Sequence, residues 1–345
     1  MIYQVEEKNK SNNKKVVIVF GATGGVGANA AMDLYKHGFS VVAVGHRLSD
    51  NGFFAQYGIP YFSVDIAQPE AYDVLPQSNV WGVVNMAGAM PASMNEYRPQ
   101  LYIDTILTGT LNMLNYCLKA GANRIIFAQS ISDAIHLYGT RTPIPADIDM
   151  KFPLNNDHSV YSICKNAAVN LMEHYYAKYG IKRFVLRFPN IYMYHPNKFY
   201  YLDGMKKWHA SRYLMEKAIQ GETIELWGNP NVVRDIVYVK DCVQIIRKSL
   251  EADVEGGVYN VGTGVGITLK EQLEGIIEVF SPVEHKSTIV MRPEMPDSPE
   301  YIMDISKTRL ELGYEPKYDY LAYLRDMKKE MAEQRFALLW GKEEK

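Results

Sequence analysis

The sequence is poor in cysteine, in net charge and in long apolar runs, and each shortage excludes a class of protein. Its three cysteines, Cys117, Cys164 and Cys242, lie far apart and form no CxxC pair, so we expect no disulfide framework and no metal site. A net charge of -2 provides no electrostatic footprint for nucleic acid or for an anionic membrane. No apolar run approaches a membrane span, and the polar residues 1–14 lack the apolar stretch of a signal peptide, which together predict a cytoplasmic protein.

Short apolar segments alternate with helix-length amphipathic stretches over the first half of the chain. The strand-like segments are 16–20, 41–44, 61–64, 81–85, 124–127 and 183–187. A right-handed crossover between parallel strands needs about a dozen residues, which these spacings provide. The order therefore predicts a doubly wound parallel sheet with helices on both faces, an α/β fold of the Rossmann type.

The pattern changes after residue 190, where loops lengthen and Tyr, Pro and Met cluster. Residues 235–250 again resemble a strand followed by a helix, so the two parts of the chain interleave. We predict a Rossmann domain formed by residues 14–190, to which 235–262 return, and a smaller mixed α/β substrate lobe formed by 191–234 and 263–345. Apolar residues at helical spacing over 318–340 predict a helix packed on this lobe.

A glycine-rich segment, GATGGVG over residues 21–27, directly follows the first predicted strand and opens the first predicted helix. Small residues allow the backbone to approach a pyrophosphate, and the free N–H groups of a helix N-terminus bind negative charge. The segment therefore predicts a dinucleotide site.

A second motif, YSICK, places Tyr161 and Lys165 four residues apart on one helix face. A neighbouring ammonium group lowers the pKa of a phenol by favouring the phenolate. The pair therefore predicts an acid/base group that is tuned by a cation, with the pKa of Tyr161 below its ordinary value.

The GxxGxxG and YxxxK spacings together resemble the short-chain dehydrogenase/reductase family. Three further segments lie in that family's order: Asp65-Ile66, the NMAG stretch of 85–88, and LRFPNIY over 186–192. The segment 227–241, WGNPNVVRDIVYVKD, resembles a segment of nucleotide-sugar epimerases and dehydratases. This resemblance covers 16–316 and implies an extended NAD(P)-dependent enzyme that transfers hydride at a carbon of a nucleotide-linked sugar.

The resemblance also implies which residues bind the dinucleotide. They are Gly21, Thr23, Gly24, Gly25, Val26, Gly27, His46, Arg47, Asp65, Ile66, Met86, Ala87, Gly88, Tyr161 and Lys165. NAD-preferring relatives have an acidic residue at the end of the second strand, where this chain has Gly45-His46-Arg47. Without a carboxylate to repel a 2'-phosphate, and with Arg47 to pair with it, NADP is favoured over NAD as the cofactor.

By the same resemblance, Ser130, Tyr161 and Lys165 are the catalytic residues. Ser130 and Tyr161 hold a hydroxyl or carbonyl oxygen, Tyr161 moves the proton, and Lys165 anchors the ribose. The family's asparagine before Gly109 is replaced by Ile106, which puts an asparagine-based proton relay in doubt. The residues expected on the substrate side are Ser132, Asn190, His195, Arg234 and Arg292, the two arginines as contacts of a nucleotide diphosphate.

Several alternatives stay open. Dehydration is disfavoured because Asp133 is followed by Ala134 rather than by the glutamate of dehydratases, whereas a nucleotide-sugar 4-epimerase and a 4-keto reductase fit the sequence equally. A non-catalytic NADP-sensing or scaffold protein, or a reductase of a non-nucleotide alcohol or ketone, could share the fold. Relatives commonly pair through the YxxxK helix, which implies a homodimer.

Overall fold

A computed structural model describes residues 15–343 of the chain, so residues 1–14, in which no signal peptide is expected, lie outside it. Its strands are β1 (Val16–Phe20), β2 (Ser40–Gly45), β3 (Tyr61–Ser63), β4 (Val80–Asn85), β5 (Arg124–Ser130), β6 (Lys182–Phe188), β7 (Ile191–Tyr192), β8 (Phe199–Leu202), β9 (Met205–Trp208), β10 (Ile224–Trp227), β11 (Val233–Asp235), β12 (Val237–Tyr238), β13 (Gly256–Asn260), β14 (Gly266–Thr268) and β15 (Ile289–Arg292). Its α-helices are α1 (Gly25–Lys36), α2 (Pro99–Tyr102), α3 (Gly109–Ala120), α4 (Ser159–Tyr179), α5 (Ala210–Ile219), α6 (Val239–Glu251), α7 (Leu269–Phe280), α8 (Ser306–Leu312), α9 (Tyr320–Glu333) and α10 (Ala337–Trp340).

Seven parallel strands form the central sheet, in the order β13-β6-β5-β4-β1-β2-β3. The six strands predicted from the sequence are all present, and β13 extends the sheet at its far edge. Strand order reverses on either side of β1, which leaves a crevice outside the carboxyl ends of the strands. The predicted doubly wound Rossmann-type fold is confirmed.

Both faces of the sheet are buried, which explains why β1 has an uninterrupted apolar sequence. Val17 and Val19 belong to the core on the face covered by α1 and α6, and Ile18 and Phe20 belong to the core on the face covered by α3 and α4. All four side chains are fully shielded from solvent. Side chains alternate between the faces because successive residues of a strand point in opposite directions.

Two of the expected helical connections are shorter than predicted. Between β2 and β3 the chain makes a 3-10 turn at Phe54–Tyr57, and between β3 and β4 it makes another at Pro69–Val74. The first turn is bounded by Gly52 and Gly58, both of which adopt the left-handed conformation. The left-handed Gly58 ends the first segment, and Pro76 disfavours helical backbone at Leu75 just after the second, so neither segment extends into an α-helix.

Outside the central sheet, the strands form four two-stranded sheets, β7–β12, β8–β9, β10–β15 and β11–β14. Helices α5, α7 and α9 pack around these, and α7 begins with a capping box between Thr268 and Glu271. The predicted C-terminal helix is divided: α9 ends where Gln334 takes a left-handed conformation, and the short α10 follows. None of the helices within residues 15–343 has the length and apolar character that crossing a bilayer requires.

Candidate active site

A cleft of about 1090 Å³ opens at the carboxyl ends of the parallel strands. It begins at the turn after β1, passes the ends of β2, β4 and β5, and extends to the segment that follows β6. This is the edge of a doubly wound sheet at which ligands bind. The sequence-predicted cofactor residues that line it are Gly21, Thr23, Gly24, Gly25, Val26, Gly27, His46, Asp65, Ile66, Met86, Ala87, Gly88, Tyr161 and Lys165.

The glycine loop is packed so closely that its first and last glycines accept no side chain. A Cβ atom on Gly27 would lie 2.1 Å from the Gly21 carbonyl oxygen, and one on Gly21 would lie 2.6 Å from the Met86 carbonyl oxygen. Gly21 also has a φ of 77°, in the left-handed region. Helix α1 starts at the cleft with Gly24 as its N-cap, which has no side chain to bond the first N–H groups. These N–H groups fit a dinucleotide pyrophosphate.

The end of β2 differs from the expectation. No carboxylate stands there: Gly45 and His46 line the cleft, and a Cβ atom on Gly45 would lie 2.7 Å from the Tyr61 hydroxyl oxygen, so a side chain at this position would have to displace Tyr61. Arg47, expected to meet a 2'-phosphate, does not line the cleft. The Arg47 guanidinium donates a hydrogen bond to the Leu339 carbonyl oxygen, in the C-terminal segment. The Tyr61 hydroxyl donates to the Arg47 carbonyl oxygen at 2.5 Å. The contact to Leu339 comes from tertiary structure, which the local sequence around Arg47 does not reveal.

Ser130, Tyr161 and Lys165 meet in the middle of the cleft. Ser130 is the last residue of β5, and the other two lie one turn apart in the first half of α4, which crosses the end of that strand. The Tyr161 hydroxyl lies near the Ser130 side chain, and the Lys165 Nζ atom lies 5.7 Å from the centre of the Tyr161 ring. Lys165 donates a 2.6 Å hydrogen bond to the Ala128 carbonyl oxygen.

The pKa of the Tyr161 phenol is shifted in the direction opposite to the one expected from the sequence. Burial raises the pKa of Tyr161 to about 12, although the hydrogen bond from Ser130 opposes the shift. Burial also lowers the pKa of Lys165 to about 8. The expected lowering of the Tyr161 pKa by Lys165 is therefore absent from the protein alone, because desolvation of the phenolate outweighs the attraction of an ammonium that bonds to a backbone carbonyl.

Asp133 is not available for proton transfer. It is fully buried and accepts hydrogen bonds from Arg187 at 3.0, 3.1 and 3.2 Å, and Arg187 also donates to the Asn260 side chain at 3.0 Å. Burial raises the pKa of Asp133, and the charge and hydrogen bonds of Arg187 oppose that shift. The pair fixes the start of the loop after β5, and Asp133 offers no free carboxyl group for elimination of water.

The expected substrate residues separate into two groups. Asn190 lines the cleft. Arg234 does not itself line the cleft. It lies beside Tyr192, whose chain neighbours Ile191 and Met193 are lining residues, and it donates to the Pro299 carbonyl oxygen at 3.3 Å. No ion pair within residues 15–343 includes Arg234, so neither Asp235 nor Asp241 neutralises it.

Three other residues lie away from the cleft because each is engaged elsewhere. Ser132 is buried and accepts a 3.0 Å hydrogen bond from the Ser162 hydroxyl. Arg292 pairs with Glu225 at 2.8 Å on the surface strand β15. The His195 ring packs on Trp340, 4.7 Å between centroids, and burial lowers its pKa to about 4, which keeps it neutral at physiological pH.

Several lining residues were missed by sequence reasoning. Asp104, Thr105 and Thr108 lie on a π-helical segment, Ile103–Thr108, and the Thr105 hydroxyl accepts a 2.9 Å bond from the Ala89 N–H. Extra residues of this kind in helices are frequent at functional sites, but no local sequence pattern marks them. The Met193 side chain lies against Gly25, the first residue of α1. In the sequence, Tyr192-Met-Tyr-His195 replaces the YGP turn of the family that the chain resembles, and this departure was the available indication of Met193.

A glycine loop at the switch point of a Rossmann sheet, next to a converging serine, tyrosine and lysine, defines the class: a dinucleotide-binding site equipped for proton transfer. The profile of the NAD dependent epimerase/dehydratase family matches residues 17–262, and the chain belongs to this family. The family predicted from the motifs is confirmed.

Individual relatives are distant but cover nearly the whole chain. The UDP-glucose 4-epimerase of Rhizobium meliloti (strain 1021) is 24% identical over 89% of this chain and 94% of its own length. The structure of UDP-N-acetylglucosamine 4-epimerase from Bacillus cereus superposes with a TM-score of 0.72 at 20% identity, over 93% of this chain and 97% of that one. UDP-glucose 4-epimerase from Thermus thermophilus, a complex with NAD, gives a TM-score of 0.64 at 22% identity, over 91% and 98%.

Proposed function

We propose that the protein is an NAD-dependent 4-epimerase of a nucleotide-linked sugar. The observation that carries this proposal is the convergence of Ser130, Tyr161 and Lys165 beside the glycine loop, in one cleft that continues to Asn190. Relatives named as UDP-sugar 4-epimerases support the substrate class. In this proposal 15–190 and 235–262 bind the dinucleotide, and 191–234 and 263–343 bind the sugar nucleotide.

In this proposal each residue of the site has a separate role. When bound, the dinucleotide supplies the acceptor and donor of hydride through its nicotinamide. Ser130 holds the sugar hydroxyl by a hydrogen bond, and Tyr161, once it has lost its own proton to solvent, accepts the proton of that hydroxyl as a phenolate and later returns it. Ionisation of Tyr161 must come first because burial raises its pKa to about 12 in the protein alone. Lys165 anchors the ribose. Arg234, without a carboxylate partner among the described residues, binds the diphosphate through its planar guanidinium.

Epimerisation is preferred to the other family reactions on two grounds. A dehydratase needs a carboxyl group beside the catalytic serine, and Asp133 is committed to Arg187. A 4-keto reductase must exchange its cofactor in each turnover, and a preference for NADP would support such a role. Arg47, on which that preference depended, bonds to Leu339 outside the cleft. NAD, the cofactor of the family's description, is therefore the proposed cofactor.

A single assay tests this function. Purified protein supplemented with NAD is incubated with UDP-glucose and, separately, with UDP-N-acetylglucosamine, and products are resolved by anion-exchange chromatography and proton NMR while absorbance at 340 nm is followed. We expect the C4 epimer to form without net change in absorbance. Oxidation of added NADH or NADPH by 4-keto sugars, without interconversion, would identify a reductase. Dinucleotide binding without turnover of any of these sugars would identify a sensor.

The proposed assembly is a homodimer that pairs through α3 and α4. Apolar side chains remain exposed on these helices, among them Leu111 at 37%, Leu118 at 40% and Ile163 at 46%. Exposed apolar side chains on two helices that pack against each other suit a two-fold interface. Light scattering is expected to give twice the mass of one chain, and Ile163→Glu is expected to give monomers. A wild-type protein that remains monomeric at micromolar concentration would contradict the proposal.

A further inference from the structure

The C-terminal segment of residues 334–343, here called the clasp, leaves the smaller lobe after α9 and lies against the dinucleotide end of the cleft. Three hydrogen bonds join it to loops that follow β1 and β2. Asn51 donates to the Leu338 carbonyl oxygen at 2.9 Å, and Arg47 donates to that of Leu339. The Trp340 ring N–H donates to the Thr23 carbonyl oxygen, inside the glycine loop, at 3.0 Å.

The clasp is packed in place rather than resting on the surface. Phe336 is 2% exposed, and its ring lies 5.3 Å from that of Phe53 and 4.4 Å from that of Trp340. Beyond these rings, the Glu343 carboxylate pairs with Arg212 at 2.7 Å and with Lys198 at 2.8 Å. Aromatic packing and ion pairs on both sides of Leu339 therefore hold its carbonyl oxygen where Arg47 reaches it.

This arrangement bears on how the site distinguishes two dinucleotides that differ by one phosphate. A site can reject a 2'-phosphate by presenting a carboxylate that repels it, or by withholding the cation that would pair with it. The first means is absent at the end of β2, where Gly45, His46 and Arg47 supply no carboxylate. The second is present, because Arg47 points to the clasp while its neighbour His46 lines the cleft.

We propose that the clasp determines the cofactor preference by holding Arg47 away from the adenosine ribose, so that the site selects NAD over NADP. The inference rests on the proposed dinucleotide site but not on the sugar chemistry. It assigns a role in cofactor choice to residues distant in sequence from the Rossmann motifs. Detaching the clasp frees the guanidinium to pair with a 2'-phosphate, which is the contact for which its geometry is suited.

The test measures binding and needs no turnover. The protein is stripped of bound dinucleotide, and the dissociation constants of NAD and NADP are measured by calorimetry for four forms: wild type, Arg47→Ala, a chain ending at Gln334, and the two changes combined. We expect the wild type to bind NAD more tightly than NADP, so that the ratio of the Kd for NADP to the Kd for NAD exceeds one. Arg47→Ala should keep this ratio within twofold of the wild-type value. Truncation should lower that ratio at least tenfold, and only when Arg47 is present.

If the truncated chain shows no cooperative thermal transition, and so is not folded, two full-length point variants replace it. Trp340→Ala removes the bond to Thr23 and the packing on Phe336, and it should lower the ratio at least threefold. Leu338→Ala is the matched control, since its side chain is 43% exposed and its carbonyl oxygen is retained, and it should leave the ratio unchanged. An unchanged ratio in folded Trp340→Ala, or a tenfold loss of NADP affinity in Arg47→Ala alone, overturns the proposal.

The outcomes also separate this inference from the proposed function. A ratio that responds as expected in a protein that converts no sugar supports the inference and refutes the epimerase. If the protein is an active epimerase and the clasp variants leave the ratio of dissociation constants unchanged, only the inference is refuted. A wild type that binds neither dinucleotide refutes both.

Discussion

Replacing Tyr161 by phenylalanine is expected to lower kcat for epimerisation by about 10³-fold, the range in which a positioned acid/base group contributes. Tyr161 lies near Ser130 in the middle of the cleft, and no other phenol within residues 15–343 lines the cleft. The phenylalanine ring keeps the packing against Tyr102, 5.7 Å between ring centres, so the fold and the affinity for NAD should be preserved. Initial rates and calorimetric titration with NAD measure the two properties separately.

Tyr102→Phe provides the control for this experiment. Tyr102 is the aromatic neighbour of Tyr161, it is 1% exposed, and burial raises its pKa to about 12 as well. It does not line the cleft, so removing its hydroxyl should leave kcat within a few-fold of wild type. Full turnover by Tyr161→Phe, or an equal loss in both variants, would show that the proton is moved by some other group.

Replacing Lys165 by methionine is expected to stabilise the cofactor-free protein while it disables the site. Lys165 is 6% exposed, and burial lowers its pKa from 10.5 to about 8. The charged form of Lys165 therefore lowers the free energy of unfolding. Each pKa unit corresponds to about 1.4 kcal/mol, which gives a gain of about 3 kcal/mol in the free energy of unfolding at pH 7. Methionine has a similar length and no charge to desolvate.

The pH dependence of this gain is the decisive measurement. Between pH 8 and 10.5, unfolded Lys165 still holds a proton that the folded form has lost, so the stability of the wild type rises with pH across this window. The advantage of Lys165→Met should therefore shrink from pH 8 to 10.5 in urea titrations. Lys178→Met, on the exposed end of α4, should have no such effect. An advantage independent of pH would mean that packing rather than charge is responsible.

The backbone of the site followed from local sequence because its determinants are local. The apolar β1, the glycines that follow it and the start of α1 occupy one continuous stretch, and close packing at Gly21 and Gly27 excludes other residues there. Tyr161 and Lys165 share a helix face by spacing alone. Strand-end positions such as Ser130 follow from the parallel order of the sheet, which brings all carboxyl ends to one edge.

The directions of charged side chains did not follow from local sequence. Arg47 and His195 looked suited to ligands, but both turn to residues near the C-terminus, Leu339 and Trp340. Asp133 pairs with Arg187, 54 positions away. A long polar side chain can reach several partners, and which one it meets depends on segments that fold against it.

The pKa values of the triad were decided in the same way. The sequence indicates that a cation stands one helical turn from a phenol, but the balance between desolvation and attraction depends on how deeply both are buried. The sequence by itself thus determined the sheet, the glycine loop and the placement of Tyr161 and Lys165 on one helix face, since each follows from short-range periodicity and sterics. Tertiary structure alone decided which charges face the cleft and how strongly they ionise, because burial and long-range partners set both.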